Sequence, residues 1–286
     1  MPIDLHLHST HSDGSLTPAE LIAKAKGLGL TAVALTDHNT VSGLPDFMEE
    51  ARKQGVTAIP GIEISTDMDG IELHLVGLFI APEHYAAIEH MMQEYHRLKE
   101  ESNIALLENL NRGGYAITYA DVLRQAGENT PNRAHVAMAL HEAGYVTSVK
   151  DAFDRLLREK HGYYTPPARL DITEAIRYLR SIRALPVLAH PFLTLSEEAL
   201  RAALPDLIAA GLVAMEVQHS TFDAAAIAQA KSVADDFGLL YSGGSDFHGK
   251  AKPDVYMGVG SRIGAEPNIP DEYCEKLRTW IKTDNK

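Results

Sequence analysis

The sequence predicts an α/β fold built around a barrel or barrel-like sheet of parallel strands. Short β-branched or aliphatic segments recur along it, and each is followed by a polar turn and a helical pattern. About seven such strands can be counted, alternating with helices as parallel β/α units do. One long stretch, residues 84–165, lacks a strand pattern and reads as a helical insertion.

The first unit pairs the strand "PIDLHLH" with the helix "TPAELIAKAKGLG". Thr17 suits the N-cap, Pro18 the first helical position, and Gly27 or Gly29 the stop. "TAVALTDH" then leads into "SGLPDFMEEARKQG", and "VTAIPGIEIS" is followed by "IELHLVGLFI". Between these last two strands, Asp69-Gly70 is a two-residue hairpin signal. Counting outward from that turn pairs Met68 with Ile71 and Ser65 with His74. Glu63 and His74 then become diagonal neighbours, about 7–8 Å apart at the backbone and able to reach one ion together.

Inside the insertion, a long amphipathic helix runs to Asn111–Gly114. Shorter helices follow at "YADVLRQAG", "NRAHVAMALHEAG" and "VKDAFDRLLREKHG". The strands resume at "ALPVLAHP", "LVAMEVQHS" and "GLLYSGGSDFH". The expected organisation is a barrel from residues 1–83 and 166–286, with 84–165 as an inserted helical cap.

Composition bounds the function. Of 286 residues, 45% are hydrophobic and 23% charged, as in ordinary globular chains. The longest apolar runs are strand-sized, far below the roughly 20 residues of a membrane span. No signal-peptide pattern precedes His6, and Cys274 is the sole cysteine, so a reducing cytoplasm is the expected home. A net charge of −13 argues against a surface that holds long nucleic acid, yet leaves small anions open as substrates.

Candidate metal ligands gather where the strands end. Alternation puts His6 and His8 on one strand face, and Asp13 follows on the loop. His38, Glu63 and His190 end later strands, and Asp246 and His248 close the last, again two residues apart. In a parallel β/α barrel these ends converge on one rim. "HxH", "TDH" or "SDFH" alone would carry little; their convergence carries the argument. Imidazoles with carboxylates and no cysteine suit Zn²⁺, Mn²⁺ or Fe²⁺. The donors are too many for one ion, and a cluster of two or three can clamp a phosphoryl group and activate water. His84, His90, His96, His141, His161 and His219 read as surface or helix-face residues, and His11 lies near the site but outside the ligand spacing. The glycines of "GVGSRIG" miss the dinucleotide spacing, and no phosphate-loop motif is present.

Read in order, "HLHSTHSDG", "LTDHNT", "GIEIS", "HLVG", "AHP" and "GSDFH" resemble the PHP (polymerase and histidinol phosphatase) family, in particular its stand-alone metal-dependent phosphoesterases. The resemblance runs from residue 6 to residue 248 and implies a distorted (β/α)7 barrel with up to three divalent ions, manganese foremost. By motif, His6, His8, Glu63 and Asp246 would hold the first ion. Asp13, His38 and His248 would hold the second, and Glu63, His74 and His135 the third. Arg133 would grip a phosphate, its guanidinium fork matching phosphate oxygens. His190 would face the substrate, binding the phosphate or protonating the leaving oxygen, or would orient a ligand; Asp37 would orient a ligand or the strand-end backbone.

The expected activity is phosphate monoester hydrolysis on a small phosphorylated substrate, a 3′,5′-bisphosphonucleotide losing its 3′-phosphate. Histidinol phosphatase, cyclic phosphodiesterase and 5′→3′ trimming of short RNA are the alternatives within the family's chemistry. Amide hydrolysis on a similar barrel, and a catalytically silent metal-binding regulatory module, are the alternatives of other classes.

Overall fold

The computed structural model describes residues 1–127, 131–264 and 266–284. The chain forms two compact units, one of Met1–Glu89 with Arg169–Lys286 and one of His90–Ala168.

The first unit is a distorted (β/α)7 barrel. Its strands are β1 (Ile3–Leu7), β2 (Ala32–Leu35), β3 (Thr57–Met68), β4 (Ile71–Leu78), β5 (Leu170–Asp171), β6 (Leu185–Leu188), β7 (Ala214–His219) and β8 (Leu240–Gly244). The sheet runs β1-β2-β3-β4-β6-β7-β8, and the short β5 pairs with β3 off this path. Neighbours are parallel except at β4, which is antiparallel to both β3 and β6. The hairpin register pairs Met68 with Ile71 and Ser65 with His74, as the Asp69-Gly70 turn dictates. A strand of reversed direction in a parallel path is what distorts the barrel.

The seam between first and last strands is closed by backbone hydrogen bonds. Asp246 N donates to His6 O and His8 N to Phe247 O, each at 3.0 Å. Strands approach this closely because residue 244 is glycine: a Cβ there would stand 2.1 Å from the His6 Cβ. Asp4, buried beneath the seam, accepts from Ser245 N, Ser245 Oγ, Gly258 N and His6 N.

Helices α1 (Pro18–Gly27) and α2 (Leu44–Gln54) follow β1 and β2. Thr17 caps α1 in a reciprocal box with Glu20, and Gly55 ends α2 in the left-handed region (φ 72°). The second unit takes most of α3 (Tyr85–Arg112), with α4 (Tyr119–Ala126), α5 (Arg133–Glu142) and α6 (Val149–Ala152). It has its own core, including Leu106, Leu110, Val136, Leu140 and Leu157. The segment expected as one helix after Thr147 is broken: α6 gives way to a π turn over Phe153–Leu157 and a short 3-10 turn.

The first turn of α3 stays with the barrel unit because Glu89 accepts from Thr40 Oγ1 and Val41 N. Arg169 does the same at the other boundary by pairing with Glu72 at 2.7 Å. The chain continues through α7 (Ile172–Ser181), α8 (Glu197–Ala210), α9 (Ala224–Asp236) and α10 (Asp271–Asp284). No helix among the described residues is long and apolar enough to cross a membrane.

Candidate metal centre

Glu63 is the centre of the arrangement. Its backbone is held from both sides, Asn39 N donating to its carbonyl and its own N–H to Asp37 O. Its side chain is fully buried, and its Oε2 lies 3.2 Å from His6 Nε2, 3.3 Å from His8 Nε2 and 3.0 Å from His38 Nδ1. These four atoms are buried and lack hydrogen-bond partners. Unpaired buried polar atoms are costly. Four of them turned on one another are explained by a cation that they share, so the residues fit divalent metal.

The other Glu63 oxygen, Oε1, meets His74 Nδ1 at 2.8 Å and His190 Nε2 at 2.9 Å. Asp246 Oδ1 faces His8 Nε2 at 3.2 Å and His6 Nε2 at 3.8 Å, and its Oδ2 takes Lys252 Nζ at 2.5 Å. Asp13 Oδ1 faces His248 Nε2 at 3.1 Å, and Asp13 Oδ2 lies 4.0 Å from His38 Nε2. Four donor groups emerge within metal-binding reach: His8, Asp13, His38 and His248; His6, His8 and Asp246; His38, Glu63 and His74; His6, Glu63 and His190.

Neighbouring groups set which ring nitrogen carries a lone pair. Glu216 Oε1 accepts from His6 Nδ1 at 2.8 Å, leaving the lone pair of Nε2 turned to Glu63 and Asp246. The Asp246 carbonyl does the same for His248 Nδ1 at 2.8 Å, freeing Nε2 towards Asp13. Asp37 accepts from Ser9 N, Ser9 Oγ and Ser12 Oγ, which fixes the loop that carries Asp13. The backbone takes positive φ at two candidate donors, His190 (26°) and Asp246 (58°), and at Asn39 (54°) beside His38.

Charge follows the same geometry. Burial works against a protonated His74, but the Glu63 charge outweighs it and holds the ring up at about 10. Burial likewise works against a protonated His8, but the Asp246 and Glu63 carboxylates beside it hold the ring up at about 9. In His190 burial wins over Glu63 and pushes the ring down to about 4. Burial would raise the Glu63, Asp13 and Asp246 carboxyls, yet the cationic groups around them hold all three well below the usual range.

Of the residues singled out in the sequence, the barrel unit brings together His6, His8, Asp13, His38, Glu63, His74, His190, Asp246 and His248. Arg133 and His135 belong to the other unit. The Arg133 guanidinium stacks 4.2 Å from the Tyr164 ring centre. His135 is the third residue of a capping box: Asn132 N donates to its Nδ1 at 3.1 Å.

Two residues of the centre escaped the sequence reading. His219, expected at the surface, is buried (1% exposed), with Nε2 3.5 Å from Asp246 Oδ2. Glu216 holds His6 Nδ1 and also accepts from His190 N at 2.7 Å. The signal was present in "AMEVQH": an acid inside a buried strand and a histidine at its end, the same strand-end position as the other ligands.

Comparison with known proteins bears on the same residues. The PHP domain matches residues 4–169. The 5′-3′ exoribonuclease Rnm of Escherichia coli is 33% identical over 91% of this chain and 88% of its own. A 3′,5′-nucleoside bisphosphate phosphatase of Chromobacterium violaceum is 28% identical over 86% of this chain and 87% of its own. A crystal structure described as a metal-dependent phosphoesterase from Bifidobacterium adolescentis superposes with a TM-score of 0.80 at 29% identity, covering 98% of this chain and 97% of that one. The sheet order, the donor set on its strand ends and these matches agree: the chain belongs to the PHP domain family, as a phosphoester hydrolase.

Proposed function

We propose that this protein hydrolyses phosphate monoesters, and that its substrate is a 3′,5′-bisphosphonucleotide which loses the 3′-phosphate. The observation that carries the reading is the Glu63 carboxylate, one buried group whose two oxygens serve several imidazoles at once. Sites built in this way suit a cluster of ions rather than one, and such clusters act on phosphoryl groups. The phosphatase relative supplies the substrate class.

In this proposal His6, His8, Glu63 and Asp246 hold one divalent ion and Asp13, His38 and His248 a second. The third set is Glu63 and His74 with His190, since His190 Nε2 shares the oxygen that His74 faces. His135 remains the further ligand that the resemblance assigns to this ion, its Nδ1 facing Asn132 N and Nε2 the nitrogen left for the role. Manganese is the ion we propose, although the donors also suit zinc and iron(II). When bound, the ions would polarise phosphoryl oxygens and make water a nucleophile near neutral pH. The chain's own residues hold the rest of the geometry. Glu216 orients His6, Asp37 steadies the Asp13 loop, and Arg133 is assigned to the substrate phosphate, where its planar fork matches the oxygens. The place of work we propose is a reducing cytoplasm, where the one cysteine, Cys274, stays a free buried thiol.

A second reading is favoured by the exoribonuclease relative. Release of a 5′-nucleotide from 5′-phosphorylated RNA breaks the bond between phosphorus and the 3′ oxygen of the first nucleoside. Removal of a 3′-phosphate breaks that same bond. The two substrates differ only in whether a phosphate oxygen carries a proton or the next nucleoside.

The test is phosphate or nucleotide release by Mn²⁺-loaded protein from 3′,5′-bisphosphoadenosine, histidinol phosphate, a cyclic phosphate and a short 5′-phosphorylated RNA, beside Asp13→Ala. Asp13-dependent turnover of the bisphosphate is expected. Turnover of the RNA alone would move the substrate to the second reading. No turnover of any of the four by metal-loaded protein would overturn the phosphoesterase assignment.

A further inference from the structure

Lys252 is a cation built into the edge of a donor set of imidazoles and carboxylates. Its ammonium bonds Asp246 Oδ2 at 2.5 Å, while Asp246 Oδ1 is the oxygen turned to His6, His8 and His248. The charge of Lys252 is felt by Asp13 and Glu63 as well. His219 is the second group on the outer oxygen. Its Nδ1 accepts from Thr221 N at 3.3 Å, so a neutral ring points Nε2–H at Asp246 Oδ2, 3.5 Å away.

The position of Lys252 is built rather than incidental. The loop that bears it is anchored at both ends. Lys250 N donates to Ser15 Oγ at 2.7 Å and Ser15 N to the His248 carbonyl at 3.0 Å; further on, Gly258 N donates to Asp4 Oδ2 at 2.6 Å. Gly249, at φ 64°, allows the turn: a Cβ there would stand 2.2 Å from Ser15 Oγ. Within the loop, Lys252 N bonds to Gly249 O, and Val255 N to Lys252 O. The backbone on either side of the lysine is therefore tied to the barrel.

We propose that Lys252 is a positioning residue that tunes the metal centre: it holds the outer oxygen of Asp246, so that the carboxylate presents Oδ1 alone, and its charge weakens the hold on the metal. The inference rests on the metal-site reading above. The physical basis is that a carboxylate shared with an ammonium donates less electron density to an ion, and that two cations bound to one carboxylate repel. Ligand partners that are carboxylates strengthen the ligands they touch; a lysine partner acts with the opposite sign. Affinity is thereby kept low enough for exchange, in a cluster whose anionic charge comes from the carboxylates of Asp13, Glu63 and Asp246.

Mn²⁺ uptake followed by the loss of the free-ion electron paramagnetic resonance signal tests this without reference to turnover. Wild type, Lys252→Met and Lys252→Arg would be titrated, with circular dichroism melts of each. Lys252→Met is expected to bind its tightest Mn²⁺ at least tenfold more tightly than wild type, and Lys252→Arg to stay within about threefold. If Lys252→Met does not fold, Lys252→Gln takes its place with the same expectation. Equal or weaker binding by the neutral variant overturns the inference, as does unchanged binding with a raised KM, which would assign Lys252 to the substrate. Failure of the wild type itself to take up Mn²⁺ would instead overturn the metal-site reading.

Discussion

Replacing Glu63 with glutamine keeps the shape of the side chain and removes the charge that His6, His8 and His38 face. Turnover should fall by on the order of a hundredfold or more, with fewer ions bound and an unchanged far-ultraviolet spectrum; full activity would remove Glu63 from the centre. Glu216→Ala makes a subtler change. It strips the acceptor from His6 Nδ1 and from His190 N, both buried. Metal affinity should drop roughly ten- to a hundredfold by calorimetry, and stability by about 2–4 kcal/mol. Protons compete for the same sites. His8 and His74, held at about 9 and about 10, are protonated near neutrality and must lose those protons to bind an ion. Apparent Mn²⁺ affinity should therefore rise from about pH 7 to about pH 9, with proton release seen by calorimetry in buffers of different ionisation enthalpy. A flat profile would contradict the assignment of these rings. The residues that the sequence made legible were those in the paired motifs "HLH" and "SDFH" and, singly, Asp13, His38, Glu63, His74 and His190. Glu216 and His219 were not, because they stand three residues apart, off the two-residue repeat of one strand face, and the register shifts between Glu216 and Gln218.

Among the elements, the hairpin of β3 and β4 was the most legible. A two-residue turn sets register, and register sets every pairing that follows, so Glu63 and His74 could be brought together by counting. The seam of β1 and β8 was not legible, since nothing local to either strand names its partner. What permits it is Gly244, beside the His6 Cβ. Gly244→Ala should pry the seam open, costing about 3 kcal/mol in urea unfolding and weakening uptake of the ion proposed for His6 and Asp246. An alanine variant of wild-type stability would mean that the strands can part without loss. The broken helix around Phe153 escaped too: the apolar spacing continues through the π turn, so periodicity alone does not register the change of winding.

For the whole molecule, the ligands couple metal to stability. A ligand that binds only the folded state stabilises it by about 4 kcal/mol at a thousandfold excess over its dissociation constant. A chelator should lower the melting temperature and Mn²⁺ restore it in proportion to the logarithm of its concentration. A melt insensitive to both would argue that the donors bind no ion in solution. The helical unit has an apolar core of its own, legible as a run of amphipathic patterns, though the division from the barrel falls inside α3 where the sequence shows no break.

The closing hydrogen bonds of the barrel join His6 and His8 to Asp246 and Phe247. The residues that finish the fold are thus the residues that finish the centre, and they stand at opposite ends of the ligand order. During synthesis His6, His8, Asp13 and His38 leave the ribosome long before Asp246 and His248 exist. The early imidazoles wait without the carboxylate that completes their set. On the proposed ligand sets, metal capture is complete only late in the life of each newly made chain, and a product that ends before Asp246 lacks one donor of the first ion and one of the second.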